Sequence, residues 1–107
     1  RQVARNHFNC PSMQGLRLEN QPTSDDCFGQ HWEERLAWNE LMSPMTNSLS
    51  IAEALSPFTL ALLEDTGWYR ANYSMAKITP FGHGAGCDFV EKPCLVNGAI
   101  PEYSRGY

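Results

Sequence analysis

The clearest pattern of apolar and polar positions in the chain lies in residues 56–66. Ser56 is a good N-cap, Pro57 suits the first position of a helix, and Gly67 suits the left-handed residue that follows a helix. These signals predict a helix over residues 56–66. Its apolar positions are Phe58, Leu60, Ala61, Leu62 and Leu63. Because they fall on most of its faces, we expect a core helix that is buried on more than one side.

Two acidic residues, Glu64 and Asp65, stand at the C-terminal end of this predicted helix. Negative charge there opposes the helix dipole, at a cost of about 0.3 to 1 kcal/mol for each residue. One hypothesis is that one of them is a buried hydrogen-bond acceptor that supports a functional site. The simpler interpretation, which we favour, is two exposed charges.

Elsewhere the hydrophobic pattern is weaker. Residues 3–8 predict the end of a helix that Cys10-Pro11 stops, since proline cannot continue the helical hydrogen-bond ladder. Residues 12–30 are typical of a loop, with one short strand at residues 16–19. Residues 32–40 have a helical spacing that predicts one or two turns, and Ser43-Pro44 then predicts a turn away from helix.

Aromatic residues and glycines are interleaved after residue 66. Between residues 67 and 86 the aromatic residues are Trp68, Tyr69, Tyr73 and Phe81. Such a mixture can bind carbohydrate or single-stranded nucleic acid, but the acidic balance of the chain disfavours nucleic acid. We predict that these side chains pack in the core or between domains.

Composition and charge exclude several classes of function. The hydrophobic fraction of 42% is ordinary for a soluble globular protein, and the net charge is −4. The eight lysines and arginines are scattered, so we expect no nucleic-acid partner. No run of apolar residues is long enough to span a membrane and the N-terminus lacks a targeting pattern, so membrane attachment would need an anchor outside this segment.

Four cysteines in 107 residues, Cys10, Cys27, Cys87 and Cys94, indicate an oxidising compartment. No C-x-x-C pair occurs, which disfavours a structural zinc finger. Four cysteines allow three complete pairings, and metal binding or free thiols are the alternatives. Cys27 lies four residues before His31 and permits a C-x-x-x-H metal pair, although we disfavour it.

The chain has three histidines, His7, His31 and His83. None belongs to an H-E-x-x-H motif, in which two histidines on one helix face bind zinc. A lone histidine is more often a hydrogen-bonded structural residue than a ligand. On this ground we interpret His7 as structural and His83 as a surface residue, and Met42 taken alone is most simply a core residue.

Five stretches, in this order along the chain, carry a family resemblance. They are Glu19-Asn20-Gln21, His31-Trp32, Asn39-Glu40-Leu41-Met42, residues 60–69 and residues 84–89. Together they resemble the leishmanolysin family of zinc metalloproteases, the surface proteases of kinetoplastids and their leishmanolysin-like relatives in other eukaryotes. The resemblance extends from about Val3 to Cys94.

The family belongs to the metzincins, which bind zinc through an H-E-x-x-H helix and a third histidine, with a methionine turn beneath the metal. The resemblance implies that His31 is the third ligand of one Zn²⁺ ion and that Met42 is the Met-turn residue. Three neutral imidazoles leave a fourth position for a water whose pKa falls toward about 7. Met42 would give the site a soft apolar floor and would not be a ligand.

The same resemblance implies that two further histidines and the general-base glutamate lie upstream, since H-E-x-x-H is absent from this sequence. Neither Glu34 nor Glu40 lies in such a motif, so we assign neither a proton-transfer role. We therefore expect no catalytic residue within this segment and no proteolysis by the segment alone.

The resemblance also implies a fold, the C-terminal part of a metzincin-type catalytic region of α+β class. This segment would be mostly helix and irregular loops, stabilised by disulfides. Residues 1–30 would end the insertion that precedes the third ligand. Residues 31–107 would contain the ligand, the Met-turn, the core helix and the start of a C-terminal cysteine-containing region. We expect neither part to be an independent domain.

The resemblance pairs Cys10 with Cys87, which closes a loop of about 80 residues worth on the order of 4 kcal/mol. Cys94 would then pair with a cysteine beyond Tyr107. Cys27 departs from the kinetoplastid pattern, and its state stays open.

The function that the resemblance implies is that of part of a zinc metalloendopeptidase. Its partners would be the remainder of its own polypeptide and protein or peptide substrates. An alternative is a non-catalytic extracellular scaffold of the same fold that serves adhesion or assembly. A third hypothesis is a complete small disulfide domain unrelated to proteases. We expect an extracellular or cell-surface location, with an intracellular leishmanolysin-like relative as the alternative.

Overall fold

The computed structural model describes residues 1–20, 29–44 and 54–106. In these ranges the regular elements are helices α1 (Gln2–Phe8), α2 (Pro57–Asp65) and α3 (Cys87–Glu91), with 3-10 turns at Tyr73–Met75 and Glu102–Ser104. Pairing of β type in the same ranges is limited to isolated bridges. The described residues therefore consist of helices and irregular loops, and the α+β class of a larger region stays a prediction. None of the helices among them is long and apolar enough to cross a membrane.

The chain divides into two compact units. The first consists of residues 1–15 together with residues 80–107, and the second of residues 16–79. The sequence-based boundary between residues 30 and 31 separates segments by role, and it stays a prediction. Cys27 lies outside the described residues, so its state is left open.

In the first unit, α1 ends where the sequence predicts. Asn9 adopts a left-handed conformation with φ of 53°, and the backbone N–H of Cys10 donates to the carbonyl oxygen of Arg5 at 3.0 Å. A disulfide joins Cys10 to Cys87 at the start of α3, with 77 residues of sequence separation. This is the pairing that the resemblance implies. Cys94 is exposed.

The core of this unit is aromatic. The rings of Phe8 and Phe89 lie 6.1 Å apart, and Phe81 meets Phe89 edge to face at 5.8 Å. Gly82 lies close to the rings of Phe8 and Phe89 and has a φ of 68°. A Cβ atom on Gly82 would lie 2.7 Å from Phe8 and 2.9 Å from Phe89. Only glycine fits here, because both the backbone conformation and the space exclude a side chain.

In the second unit, α2 confirms the predicted core helix and its boundaries. Ser56 Oγ accepts from the backbone N–H of Phe58 at 3.1 Å, Pro57 begins the helix, and Gly67 follows its end with φ of 75°. Phe58 and Leu60 are buried, but the last residues of the helix are exposed. Burial on several faces therefore applies only to the first part of α2.

Glu64 and Asp65 are both exposed, which confirms the simpler of the two interpretations. Glu64 Oε2 accepts a hydrogen bond from the hydroxyl of Tyr73 at 2.8 Å. This bond raises the pKa of Tyr73, because ionisation would place two negative charges side by side.

Other sequence-based predictions differ from the structure. The predicted strand at residues 16–19 is reduced to a single antiparallel bridge between Leu18 and Trp32. By contrast, the one or two turns predicted for residues 32–40 are present as hydrogen-bonded turns, one of them closed by the bond from the Ala37 N–H to the Glu33 carbonyl oxygen at 3.1 Å. Trp68 and Tyr69 are 84% and 59% exposed, so the prediction that these two side chains pack in the core is wrong. Packing between domains stays a prediction for them.

Candidate metal centre

The candidate site is built on the bridge between residues 17–19 and 31–33 in the second unit. The backbone N–H of Glu19 donates to the carbonyl oxygen of His31 at 3.0 Å, and that of Glu33 donates to the carbonyl oxygen of Arg17 at 2.9 Å. These two bonds flank the Leu18–Trp32 pair. They place the side chains of Glu19 and His31 next to each other.

Glu19 and His31 are in direct contact. Glu19 Oε1 lies 2.8 Å from His31 Nδ1, and the same oxygen accepts from the backbone N–H of Gln30 at 3.3 Å. The Glu19 side chain is 7% exposed, whereas that of His31 is 44% exposed. Desolvation raises the pKa of Glu19, but the hydrogen bonds from His31 and Gln30 outweigh it, so the net pKa lies below the usual value. Glu19 is therefore a carboxylate that contacts Nδ1 at one edge of the imidazole, while the rest of the ring stays accessible.

A backbone hydrogen bond connects Met42 to this bridge. Its carbonyl oxygen accepts from the backbone N–H of Trp32 at 2.8 Å. The backbone N–H of Ser43 donates to the carbonyl oxygen of Glu40 at 3.0 Å, which closes a tight turn around Met42. The structure thus brings the residue that follows His31 against the turn that contains Met42.

Glu40 is buried at the base of this turn, with 1% of its surface exposed. Its Oε1 accepts from the Ser56 backbone N–H at 3.2 Å, from Ser56 Oγ at 2.8 Å and from Thr59 Oγ1 at 2.6 Å. Its Oε2 accepts from the backbone N–H of Met42. A buried carboxylate is tolerated when donors satisfy it in this way.

Glu40 thereby caps α2 from a distance. In a capping box, an acidic residue at the third helical position accepts from the backbone N–H of the N-cap residue. Here that position is Thr59, and Glu40, sixteen residues before Ser56, supplies the acceptor. Thr59 Oγ1 also accepts from the indole N–H of Trp32 at 3.0 Å. One network therefore joins Trp32, the Met42 turn and the N-terminus of α2.

This role of Glu40 is not predicted from the sequence. A signal for it exists, since Ser56 and Thr59 present hydroxyl groups at a helix N-terminus, where negative charge is favoured. Nothing in the sequence says which acidic residue meets them, because the partner comes from a separate loop.

The structure places the other two histidines in the first unit. His7 is buried, and its Nε2 lies 2.9 Å from the carbonyl oxygen of Phe81. His83 is exposed, with its ring 5.1 Å from that of His7. Burial lowers the pKa of His7; the bond to Phe81 opposes this effect and the nearby His83 adds to it. These positions fit a structural role for His7 and a surface position for His83.

One group of three potential ligand residues occurs among the described residues, and it consists of Cys10, Cys87 and Glu91. The two sulfur atoms are bonded to each other, so neither is a thiolate able to bind a metal. Glu91 instead accepts a hydrogen bond from Ser12 Oγ at 3.0 Å. We therefore interpret this group as a disulfide with a neighbouring carboxylate and not as a metal site.

The donor set around His31 fits one corner of a metal site. In a neutral imidazole, a carboxylate that accepts from Nδ1–H leaves Nε2 as the nitrogen with a lone pair. Within the described part of the chain His31 belongs to no group of three potential ligands, so the other ligands of a metal there would come from outside these residues. The structure therefore presents His31 as one partly exposed imidazole whose Nδ1 contacts a carboxylate.

Comparison with known proteins identifies clear relatives. The leishmanolysin family model matches residues 1–105. A leishmanolysin-like peptidase of Drosophila pseudoobscura pseudoobscura is 44% identical over 91 residues, which is 85% of this chain and 13% of that protein. One of Caenorhabditis elegans is 43% identical over 94 residues, 88% of this chain and 14% of that protein. Leishmanolysin of Leishmania donovani is 34% identical over 95 residues, 89% of this chain and 15% of that protein. The chain therefore matches only 13–15% of the length of these curated relatives.

Proposed function

The chain belongs to the leishmanolysin family, and from this premise we propose that it is part of a zinc metalloendopeptidase in which His31 binds the metal. The observation that carries the proposal is the backbone hydrogen bond of 2.8 Å from the Trp32 N–H to the Met42 carbonyl oxygen. A metzincin site requires its third histidine close to a methionine turn. In this chain one hydrogen bond connects the two segments.

Several residues of the chain would act together to present His31. Glu19 contacts Nδ1 of the ring, and the backbone bonds on either side of the Leu18–Trp32 bridge hold the segment that bears it. Met42 is half-buried in its turn, where it would supply an apolar support below the imidazole ligands. Glu40 fixes that turn by accepting from the Met42 N–H.

A zinc ion held by three histidines, when bound, supplies a water activated at neutral pH for attack on a peptide carbonyl. The task of this chain is to place one imidazole and to shape the floor of the site. The remaining two histidine ligands and the general-base glutamate would come from another part of the polypeptide. The substrates would be proteins or peptides, and the location would be extracellular or at the cell surface.

The proposal is tested by casein cleavage with the full-length protein that contains this chain. Wild type should cleave casein, and His31→Ala should reduce cleavage to the level of a blank without enzyme. His83→Ala is the matched control, because it removes an exposed histidine outside the candidate site and should retain wild-type cleavage. Undiminished cleavage by a folded His31→Ala protein would disprove the assignment, and a folded wild type without activity would favour a non-catalytic scaffold.

A further inference from the structure

Glu19 has a position that an ordinary surface ion-pair partner would not have. Its carboxylate is 7% exposed, although its partner His31 is 44% exposed. It is fixed twice, by its own backbone N–H to the His31 carbonyl oxygen at 3.0 Å and by its Oε1 to the Gln30 N–H at 3.3 Å. The carboxylate is therefore held by the backbone of Gln30 in addition to its contact with the imidazole.

This arrangement determines which ring nitrogen of His31 can bind a metal. Glu19 Oε1 lies 2.8 Å from Nδ1, so Nδ1 carries the proton in the neutral ring and Nε2 presents a lone pair. Histidine ligands in metal sites commonly donate their second N–H to a carboxylate, which fixes the tautomer and increases the basicity of the ring.

We propose that Glu19 is the positioning residue of the metal centre, holding His31 in the tautomer and orientation in which Nε2 binds zinc. The inference rests on the proposed function, since it requires His31 to be a ligand. Glu19 itself would not touch the metal. Its contribution is to preorganise the single ligand that this chain supplies.

An ion pair with a charged histidine is the competing explanation of the same contact. An exposed pair of that kind contributes little and tolerates loss of either partner. Burial of the carboxylate and its second bond, to Gln30, favour the positioning role. The two explanations differ in one measurable quantity, the affinity for zinc.

The test uses Glu19→Gln in the full-length protein, since glutamine keeps the shape and an acceptor oxygen but removes the negative charge. The dissociation constant for zinc is measured by competition with a chromogenic chelator. A positioning role predicts affinity weaker by about 10- to 100-fold. Glu33→Gln is the matched control, because it removes the same charge two residues from His31 without removing the Nδ1 contact, and its affinity should equal that of wild type.

Two further variants keep the outcome unambiguous. Glu19→Asp retains a carboxylate on a shorter side chain, so its zinc affinity should lie between those of wild type and Glu19→Gln. Thermal unfolding of the zinc-free proteins verifies that each variant is folded, and if Glu19→Gln does not fold, the comparison of Glu19→Asp with wild type decides. Equal affinity of the folded Glu19 variants and wild type would overturn the positioning role.

His31→Ala separates this proposal from the one on which it rests. If His31→Ala loses zinc and Glu19→Gln binds it normally, only the role of Glu19 is wrong. If His31→Ala binds zinc as tightly as wild type, the metal site itself is elsewhere and both proposals fail.

Discussion

Replacing Glu40 by glutamine should destabilise the protein much more than replacing an exposed carboxylate. The carboxylate of Glu40 is 1% exposed and accepts from donors on Met42, Ser56 and Thr59. A glutamine amide keeps one acceptor oxygen and replaces the other by an NH₂ group. If the oxygen takes the place of Oε1, the new NH₂ faces the Met42 N–H, and that buried donor loses its acceptor.

The magnitude follows from these contacts. An unsatisfied buried donor costs about 1 to 3 kcal/mol, and each remaining bond weakens because its acceptor is no longer charged. Removal of a buried charge offsets part of this loss. We expect Glu40→Gln to lower the free energy of unfolding by about 3 kcal/mol. Glu40→Ala, which leaves every donor unpaired and opens a cavity, should cost about 4 to 5 kcal/mol.

Urea denaturation followed by tryptophan fluorescence measures this change in the full-length protein. Hydrogen exchange at the Met42 amide should become faster in Glu40→Gln, because that N–H loses its acceptor. Glu34→Gln is the control, since Glu34 is only half-buried and its variant should stay within about 0.5 kcal/mol of wild type. A Glu40→Gln protein as stable as this control would show that the buried Glu40 carboxylate does not stabilise the fold.

Three other predictions concern the first unit. Both Gly82 and Gly84 have positive φ, but only at Gly82 would an added Cβ atom meet other side chains within 4 Å. Gly82→Ala should therefore cost about 1 to 3 kcal/mol more than Gly84→Ala, and thermal unfolding compares the two variants. Burial lowers the pKa of His7, so the unfolded state binds more protons as pH falls below the ordinary value of 6.5. Stability should therefore be complete above that pH and decline below it, and His7→Gln should flatten the decline in urea midpoints measured between about pH 7 and pH 5. A variant with serine at both Cys10 and Cys87 should lose on the order of 4 kcal/mol of stability, which urea denaturation measures against wild type.

Local signals explain why α2 could be predicted from the sequence. Ser56, Pro57 and Gly67 each act on their immediate neighbours, so a short window contains all the information. The burial of its C-terminal half could not be read in this way, because it depends on what packs against the helix.

The candidate site shows the same division. His31 and Met42 were assigned through resemblance, and the structure brings their segments together by a backbone bond. The role of Glu40 could not be predicted because its partners at the start of α2 lie sixteen and nineteen residues further along the chain. The role of Glu19 could not be predicted, since it contacts His31 across twelve residues of sequence and no local signal sets the register of that pairing.

The claim that His31 is a metal ligand is tested by the zinc content of the purified full-length protein. It is measured per polypeptide by mass spectrometry for wild type and His31→Ala. We expect one zinc ion per polypeptide in wild type and none in His31→Ala, while His83→Ala keeps it. A folded His31→Ala protein that retains a full equivalent of zinc would contradict the claim that His31 is a metal ligand.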